Sequence, residues 1–337
     1  RACVSGSVSD RERSRASAEK YQKIWTEEGS PLVAITASLE RGLNDYYAEQ
    51  GLPVVVRAGM SYGKPSLKQA VKELKEEGCT ELVVLPMYPQ SAFSTTGSVS
   101  DGVAKAVRRA RFKGGVRLID GYGEDATYVR AVAASIRNAG FSEESGDRLL
   151  FSFHSIPLKD IEAGDTYELQ TGATSLAVAG ELGLDRRSWT ISYQSRFDKG
   201  RTWLSPFTRP TLERLAQAAE PKSRLFMVCP NFSVDCLETL YELEPLYRAV
   251  IAGQKVNADE EPGALENTGK AAARCDDAHA DLADARRRQR AGDDFRRGAH
   301  RQRSDDEAFI YVPCLNRSKA HLKVLTAVLA PYVGDGE

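Results

Sequence analysis

The sequence contains no pair of cysteines at C-x-x-C spacing, although it has six cysteines in 337 residues. This absence argues against a zinc ribbon and against a thioredoxin-like site. The six are Cys3, Cys79, Cys229, Cys236, Cys275 and Cys314. Their scatter along a chain of this length predicts free thiols in a reducing compartment rather than a disulfide framework.

Long apolar runs and an excess of charge of one sign are also lacking. No stretch approaches the roughly 20 apolar residues that span a bilayer, so we expect no transmembrane segment. The net charge is −1 with Lys and Arg spread along the chain, which argues against a nucleic-acid partner. Residues 1–15 are rich in Ser and Arg without a hydrophobic stretch, unlike a secretory signal. We expect a cytoplasmic protein, or one of an organelle matrix or stroma if the source is eukaryotic.

Short, continuously apolar runs alternate with amphipathic stretches. The runs cover residues 54–57, 82–85, 116–119, 149–153, 189–193, 225–228 and 309–312. Continuous apolarity is typical of parallel strands that are covered on both faces. Amphipathic stretches at residues 67–77, 125–138, 169–182 and 237–251 predict helices. Together they predict an α/β protein with doubly wound, parallel sheets.

A domain boundary near residues 139–146 would give an N-terminal Rossmann-like lobe at residues 18–140 and a C-terminal lobe at residues 141–331. Residues 253–306 depart from the pattern, because these 54 residues include only four large apolar side chains. So few cannot offset the entropy of ordering the segment. We expect a disordered or non-native insertion and leave its histidines, His279 and His300, out of the site.

His154 directly follows the apolar run at residues 149–153. Doubly wound folds bind ligands outside the carboxyl ends of their strands. A histidine at such a position can act as a general base or as a metal ligand. A purely structural role remains the alternative.

A second group of candidates lies in DCLETLYE, residues 235–242. Glu238 and Glu242 are four residues apart, which places both carboxylates on one face of a helix. One interpretation is a capped helix with acids near its positive end. The other is a ladder of carboxylates that moves a cation toward His154. Imidazole and carboxylate suit ferrous iron, although zinc and copper bind such ligands as well.

A third element, YPQSAFSTTGS at residues 88–98, offers hydroxyls to cap a helix and aromatic rings for a flat apolar pocket. Together with other short stretches it resembles the ferrochelatase family. The stretches are GSPL (29–32), MSYGKPSL (60–67), LPMYPQ with STTGS (85–98), FSFHSIP (151–157), YQSRF (193–197), WLSP (203–206), CPNFSVDCLETLYEL (229–243) and YVPCLN (311–316). They occur in the family's order.

The resemblance implies a chelatase-like fold, in which two Rossmann-like lobes hold a porphyrin in the cleft between them. It implies insertion of Fe²⁺ into protoporphyrin IX or coproporphyrin III, giving haem or coprohaem and two protons. His154 and Glu238 match the catalytic positions, and His154, Glu238 and Glu242 would handle the metal. The pocket walls would be formed by Tyr62, Tyr88, Trp203 and Phe232.

The same resemblance implies that ferrous iron is a substrate and that no cofactor is bound permanently. We expect no iron–sulphur cluster, because Phe93 occupies the place of one cluster ligand in some relatives. Porphyrin and iron are the expected partners, and peripheral membrane contact is compatible with the family. The sequence leaves the oligomeric state open.

The start of the sequence limits what the resemblance implies. The match begins near Ala18, so the family's usual first strand and hydrophobic lip are absent or replaced by residues 1–17. Two other functions stay open: a related cobalt chelatase, and a non-catalytic tetrapyrrole-binding protein. A dehydrogenase is rejected, because no G-x-G-x-x-G follows a predicted strand.

Overall fold

The computed structural model describes residues 19–196, 200–218, 223–243 and 308–334. The segment expected to be an insertion, residues 253–306, lies outside these ranges. So do residues 1–18.

The N-terminal half includes three longer α-helices and a small parallel sheet. The helices are α1 (Pro31–Glu49), α2 (Leu67–Glu76) and α3 (Ser98–Ala110), and the strands are β1 (Glu81–Val84) and β2 (Gly115–Leu118). Helix α1 begins with Pro31, whose fixed φ suits the first turn, and it buries Ile35, Leu39 and Leu43 at four-residue spacing. Strands β1 and β2 pair in parallel, from Glu81↔Gly115 to Val84↔Leu118.

The strand predicted at residues 54–57 is not formed. Its backbone contacts side chains of helix α1 instead of a neighbouring strand: the Val56 N–H donates to Asn44 Oδ1 at 2.9 Å, and Asn44 Nδ2 donates to the Val56 carbonyl at 3.0 Å. A strand exists only as part of a ladder, and no strand among the residues described here pairs with this segment. The apolar run therefore lies where it was predicted, but among the described residues it does not pair into a sheet.

The C-terminal half contains a four-stranded parallel sheet. Its strands are β3 (Arg148–His154), β4 (Trp189–Gln194), β5 (Leu225–Val228) and β6 (Phe309–Val312), in the order β4-β3-β5-β6. Strand β3 pairs with β4 from Leu149↔Trp189 to His154↔Gln194. Leu149, Leu150 and Phe151 have no exposed surface, which matches a parallel strand covered on both faces.

Helices cover this sheet and connect the two halves. They are α4 (Ala126–Asn138), α5 (Leu158–Glu162), α6 (Tyr167–Leu182), α7 (Thr208–Ala218) and α8 (Lys319–Leu329). Asp125 caps α4 by accepting hydrogen bonds from the N–H groups of Thr127 and Tyr128 at 2.8 and 3.1 Å. Helix α8 packs against α4 and α1, so the core runs continuously from the first half into the second. The division at residue 140 therefore stays a prediction.

The start of α8 contains a buried histidine, His321, with no exposed surface. Ser318 caps the helix by accepting a hydrogen bond from the His321 N–H at 3.1 Å, and His321 Nδ1 lies 2.6 Å from the Asn316 carbonyl oxygen. Burial lowers the pKa of His321 from the ordinary 6.5 to about 4, since the charged ring would lose its hydration. The folded protein therefore holds this ring neutral.

We expect the protein to lose stability as the pH falls from about 6.5 to about 4. In this window the unfolded chain takes up a proton that the folded chain refuses, so the equilibrium shifts toward unfolding by up to ~3 kcal/mol. Urea unfolding at several pH values within this range measures the change in the free energy of unfolding. His321→Asn keeps a donor for the Asn316 carbonyl but does not titrate there, so its stability should depend less on pH. If the free energy of unfolding changed equally with pH in both proteins, His321 would not be the group responsible.

Candidate active site

A cavity of about 1970 Å³ lies at the carboxyl ends of the strands and extends into the N-terminal half. Ligand pockets usually measure ~300–1,000 Å³, so this space is large enough for a macrocycle and more. Its wall includes five of the seven predicted site residues: Tyr62, Tyr88, His154, Phe232 and Glu238. These residues come from four separate segments of the sequence, which the fold brings to one cavity.

His154 is the last residue of β3 and follows Phe153, which is fully buried. Its Nδ1 lies 2.7 Å from the carbonyl oxygen of Ser155. Because a carbonyl oxygen only accepts, we assign the ring proton of the neutral form to Nδ1. Nε2 is then the basic nitrogen, and the rigid strand fixes the ring at the cavity wall.

Glu238 begins a π-helical turn, Glu238–Leu243, after strand β5. A hydrogen bond inside the preceding turn stabilises it. The Cys236 N–H donates to Thr239 Oγ1 at 3.0 Å, and Thr239 is fully buried. The α-helix predicted from residue 237 therefore starts here as a π-helix, with i→i+5 bonding. Residues 244–251 of the predicted helix, and the side chain of Glu242, lie outside what the structure describes.

The charge of Glu238 affects two neighbours on the cavity wall. Burial raises the pKa of Tyr88, and the negative charge of Glu238 raises it further. Burial likewise raises the pKa of the Cys236 thiol well above its ordinary value, followed by the charge of Glu238 and a hydrogen bond to that carboxylate. The thiol therefore stays protonated and donates to Glu238. A carboxylate, a thiol and a phenol form one polar group in a largely apolar cavity.

Asp235, just before this group, anchors the turn to the C-terminal segment. Its carboxylate accepts hydrogen bonds from the Tyr311 hydroxyl at 2.7 Å and from Asn316 Nδ2 at 2.6 Å, while its N–H donates to Asn316 Oδ1 at 2.8 Å. Asp235 is only 4% exposed. Its role in the structure is to position the turn rather than to face the cavity.

The described part of the chain has no group of three or more His, Cys, Asp and Glu residues arranged to hold a metal ion. The predicted metal role of His154, Glu238 and Glu242 stays a prediction for iron as a passing substrate.

The predicted pocket residue Trp203 is not brought to this wall. It is buried at 5% exposure and bridges to Pro157, and it does not appear among the described residues that line the cavity. Two polar wall residues have no role in the sequence-based site. Gln90 and Asn231 are 2% and 7% exposed, and Gln90 Oε1 and Asn231 Oδ1 find no partner within the described ranges. Both residues follow predicted apolar strands, and this position is the sequence feature that could have indicated a place in the site.

None of the helices described is both long and apolar enough to cross a bilayer.

Comparison with known proteins identifies relatives across most of the chain. The family model described as Ferrochelatase matches residues 3–270, so the expectation that the match begins only near Ala18 was wrong. A ferrochelatase of Thioalkalivibrio sulfidiphilus is 41% identical over 232 residues, which cover 68% of this chain and 62% of the relative. A ferrochelatase of Aeromonas hydrophila is 41% identical over 238 residues, covering 71% and 72%. The chain thus spans between three fifths and three quarters of these relatives.

Solved structures support the fold. SirB from Bacillus subtilis with Fe³⁺ superimposes with a TM-score of 0.51 at 9% identity, covering 89% of each chain. At that identity the likeness concerns the fold alone, and it confirms the predicted chelatase-like α/β architecture. The family model covers well over half of the sequence, and the two relatives exceed 40% identity. The chain belongs to the ferrochelatase family.

Proposed function

We propose that this protein is a ferrochelatase that inserts Fe²⁺ into a porphyrin and releases two protons. The observation that carries the proposal is the large cavity whose wall contains both His154 and Glu238, together with Tyr62, Tyr88 and Phe232. The substrate is protoporphyrin IX or coproporphyrin III, and the product is haem or coprohaem. Porphyrin and ferrous iron are the proposed partners, in the cytoplasm.

The reaction requires a base, because the porphyrin enters with two pyrrole N–H protons that the metal replaces. His154 suits this role, since its ring carries Nδ1–H toward the Ser155 carbonyl and offers Nε2 as the basic nitrogen. A general base of this kind contributes roughly 10²–10⁴-fold to the rate. The strand that holds the ring reduces the motion needed to reach the proton.

Glu238 supplies negative charge to the same cavity. Glu238 lines the cavity, and after the larger effect of burial its negative charge raises the pKa of Tyr88 and of Cys236. A carboxylate there favours the arrival of a divalent cation and stabilises the imidazolium that forms when His154 takes a proton. Glu242 is proposed to continue this track of negative charge.

The aromatic residues give the cavity a surface for a flat macrocycle. Tyr62 is 89% exposed and Tyr88 is 37% exposed, so both rings are available to a ligand in the cavity. Stacking on aromatic faces suits the porphyrin ring. To speed insertion, the wall must favour a bent ring, which resembles the transition state, over the flat substrate.

The activity is tested by anaerobic insertion of Fe²⁺, and of Zn²⁺ as a stable substitute, into both porphyrins, followed by absorbance. We expect metalloporphyrin to form, and the faster porphyrin identifies the substrate. Porphyrin binding without insertion of iron, zinc or cobalt would instead assign a binding protein.

Glu238→Gln is expected to slow insertion by roughly tenfold to a hundredfold, the usual effect of removing a charged partner of a metal-handling group. The substitution keeps the size of the side chain and removes only its charge. Glu124→Gln is the matched control, because Glu124 is exposed and does not line the cavity. An unchanged rate in Glu238→Gln would remove this carboxylate from the mechanism.

A further inference from the structure

Residues 120–125, which lie between β2 and α4, connect two separate parts of the cavity wall, and we name them the bridging loop. One part is the segment at residues 88–90, which includes Tyr88. The other part is the turn at residues 230–233 after β5, which includes Phe232. Tyr88 and Phe232 both line the cavity. The relative position of these two segments therefore sets the shape of the space that a bound ring would occupy.

The bridging loop is fixed to the first segment by hydrogen bonds. The N–H groups of Tyr122 and Gly123 both donate to the Pro89 carbonyl, at 2.8 and 2.7 Å. The Ser91 hydroxyl donates to Asp120 Oδ1 at 2.8 Å. Glycine suits this close approach, because a Cβ on Gly123 would lie only 3.2 Å from the Pro89 oxygen. The loop therefore follows any movement of the first segment.

Two phenols fix the other side of the bridging loop to the 230–233 turn. The hydroxyl of Tyr122 forms a hydrogen bond with the hydroxyl of Ser233. The hydroxyl of Tyr128, in the first turn of α4, donates to the Pro230 carbonyl at 2.5 Å. The two phenol rings pack edge to face, with their centroids 5.5 Å apart and their planes at 88°. Each phenol thus fixes one end of the turn, and the ring contact fixes the phenols relative to each other.

Both phenols are buried away from water and from the cavity. Tyr122 is 5% exposed and Tyr128 is 1% exposed, and neither lines the cavity. Burial raises the pKa of both hydroxyls above the ordinary value, so both stay protonated. Water cannot easily replace a buried donor that is removed. Any effect of these phenols on a ligand must therefore act through the turn.

We propose that Tyr122 and Tyr128 are positioning residues for metal insertion. Through the 230–233 turn they hold Phe232 at a fixed distance from Tyr88, so that the cavity wall favours the bent form of a bound porphyrin. A turn that is free to shift would adapt to the flat ring and stabilise the transition state less. This inference rests on the proposed chelatase function.

The first test measures the insertion of Zn²⁺ into the porphyrin that the parent protein uses faster. Tyr122→Phe and Tyr128→Phe each delete one hydroxyl and keep the ring contact. Each should lower kcat roughly threefold to tenfold, the range that corresponds to one hydrogen bond. KM for the porphyrin should stay within about twofold, because the side chains that line the cavity are unchanged.

The second test measures the shape of ring that the cavity prefers, without any metal. A porphyrin methylated on one pyrrole nitrogen is permanently bent, because the methyl group does not fit in the plane of the ring. Fluorescence titration gives Kd for this porphyrin and for the same porphyrin without the methyl group. The parent protein should bind the bent ring more tightly, and each variant should lose roughly threefold to tenfold of that preference. A residue that only supports the fold would leave the ratio unchanged.

Tyr193→Phe is the matched control. Tyr193 is 1% exposed, its hydroxyl forms a hydrogen bond of 2.9 Å with the Thr171 hydroxyl, and it does not line the cavity. We expect this variant to lose a similar amount of stability while kcat and the binding ratio stay within about twofold of the parent. If Tyr193→Phe lowered kcat as much as the other two variants, the effect would be a general loss of stability and the proposal would be wrong.

The remaining outcomes separate this inference from the proposed function. If the parent protein inserts zinc and both variants keep its kcat, the phenols do not position the cavity wall. A lower kcat with an unchanged binding ratio would also overturn the proposal, because the effect would not concern the shape of the ring. Failure of the proposed function is recognised in the parent protein, before any substitution. In a parent that binds porphyrin without inserting metal, the ratio still tests the phenols, and a parent that does neither refutes both proposals.

Discussion

His154→Ala should lower the rate of metal insertion by roughly 10³-fold, within the range expected for loss of a general base. The imidazole at the end of β3 is the group proposed to take the two pyrrole protons. Water can replace it as a proton acceptor, but without a fixed position beside the ring. The expected change is therefore in kcat, while KM for the porphyrin stays within a fewfold, because the aromatic wall is untouched.

Rescue by added imidazole distinguishes this role from a structural one. The alanine substitution leaves a space at the cavity wall, and a small base that enters it should restore part of the activity. Circular dichroism and the unfolding midpoint of the variant should match the parent, since His154 lies at a strand end and not in the core. A variant that folds, binds porphyrin and inserts metal at the parent's rate would exclude His154 as the base.

Sequence patterns predicted the strands well wherever burial alone decides the structure. Residues 149–153 are continuously apolar, and the strand they form, β3, is buried on both faces. The pattern is local, and its burial does not depend on which strand lies beside it. The same reasoning predicted β5 and β6 with the bounds that the structure shows.

The prediction was wrong at residues 54–57 because a strand also needs a partner. Composition identifies an extended, apolar segment, but the neighbour that completes a ladder comes from elsewhere in the chain. Here the Asn44 side chain makes two hydrogen bonds with the backbone of Val56, and residues 54–56 line the cavity. No local pattern contains that information.

The sequence predicted the reactive residues of the candidate site better than it predicted the residues that line the cavity. His154 and Glu238 stand at strand and helix ends, where position along the sequence limits where a side chain can point. Trp203 lies in an irregular segment, so the sequence did not indicate which way its ring faces. Gln90 belongs to the motif LPMYPQ but received no predicted role, because its position in the sequence does not show that its side chain is buried.

Asp235→Ala should destabilise the protein by about 3 kcal/mol, because two partly buried donors lose their acceptor at once. The Tyr311 hydroxyl and Asn316 Nδ2 each donate to this carboxylate, at 2.7 and 2.6 Å. Burial raises the pKa of Tyr311 well above its ordinary value, so the hydroxyl remains a donor that needs a partner. Alanine offers none, and water has no access to a residue that is 4% exposed.

Two further variants divide this effect between its causes. Asp235→Asn keeps the shape of the side chain but leaves one accepting oxygen instead of two. We therefore expect the free energy of unfolding to fall by about 1 to 2 kcal/mol. Tyr311→Phe removes one donor and leaves the Asn316 bond, with an expected loss of about 1 kcal/mol. Urea unfolding at neutral pH measures all three, and a loss below about 0.5 kcal/mol in Asp235→Ala would mean that these bonds contribute nothing net to folding.

The same variants also test how the turn positions Glu238. Asp235 ties the turn to Asn316, whose carbonyl oxygen lies 2.6 Å from His321 Nδ1 at the start of α8. If this tie positions Glu238, insertion should slow in Asp235→Ala under conditions where the protein is still fully folded, and Tyr311→Phe should slow it less. If both variants keep the parent's rate while stability falls, Asp235 acts on folding alone, and the Cys236–Thr239 hydrogen bond is sufficient to hold Glu238 in place.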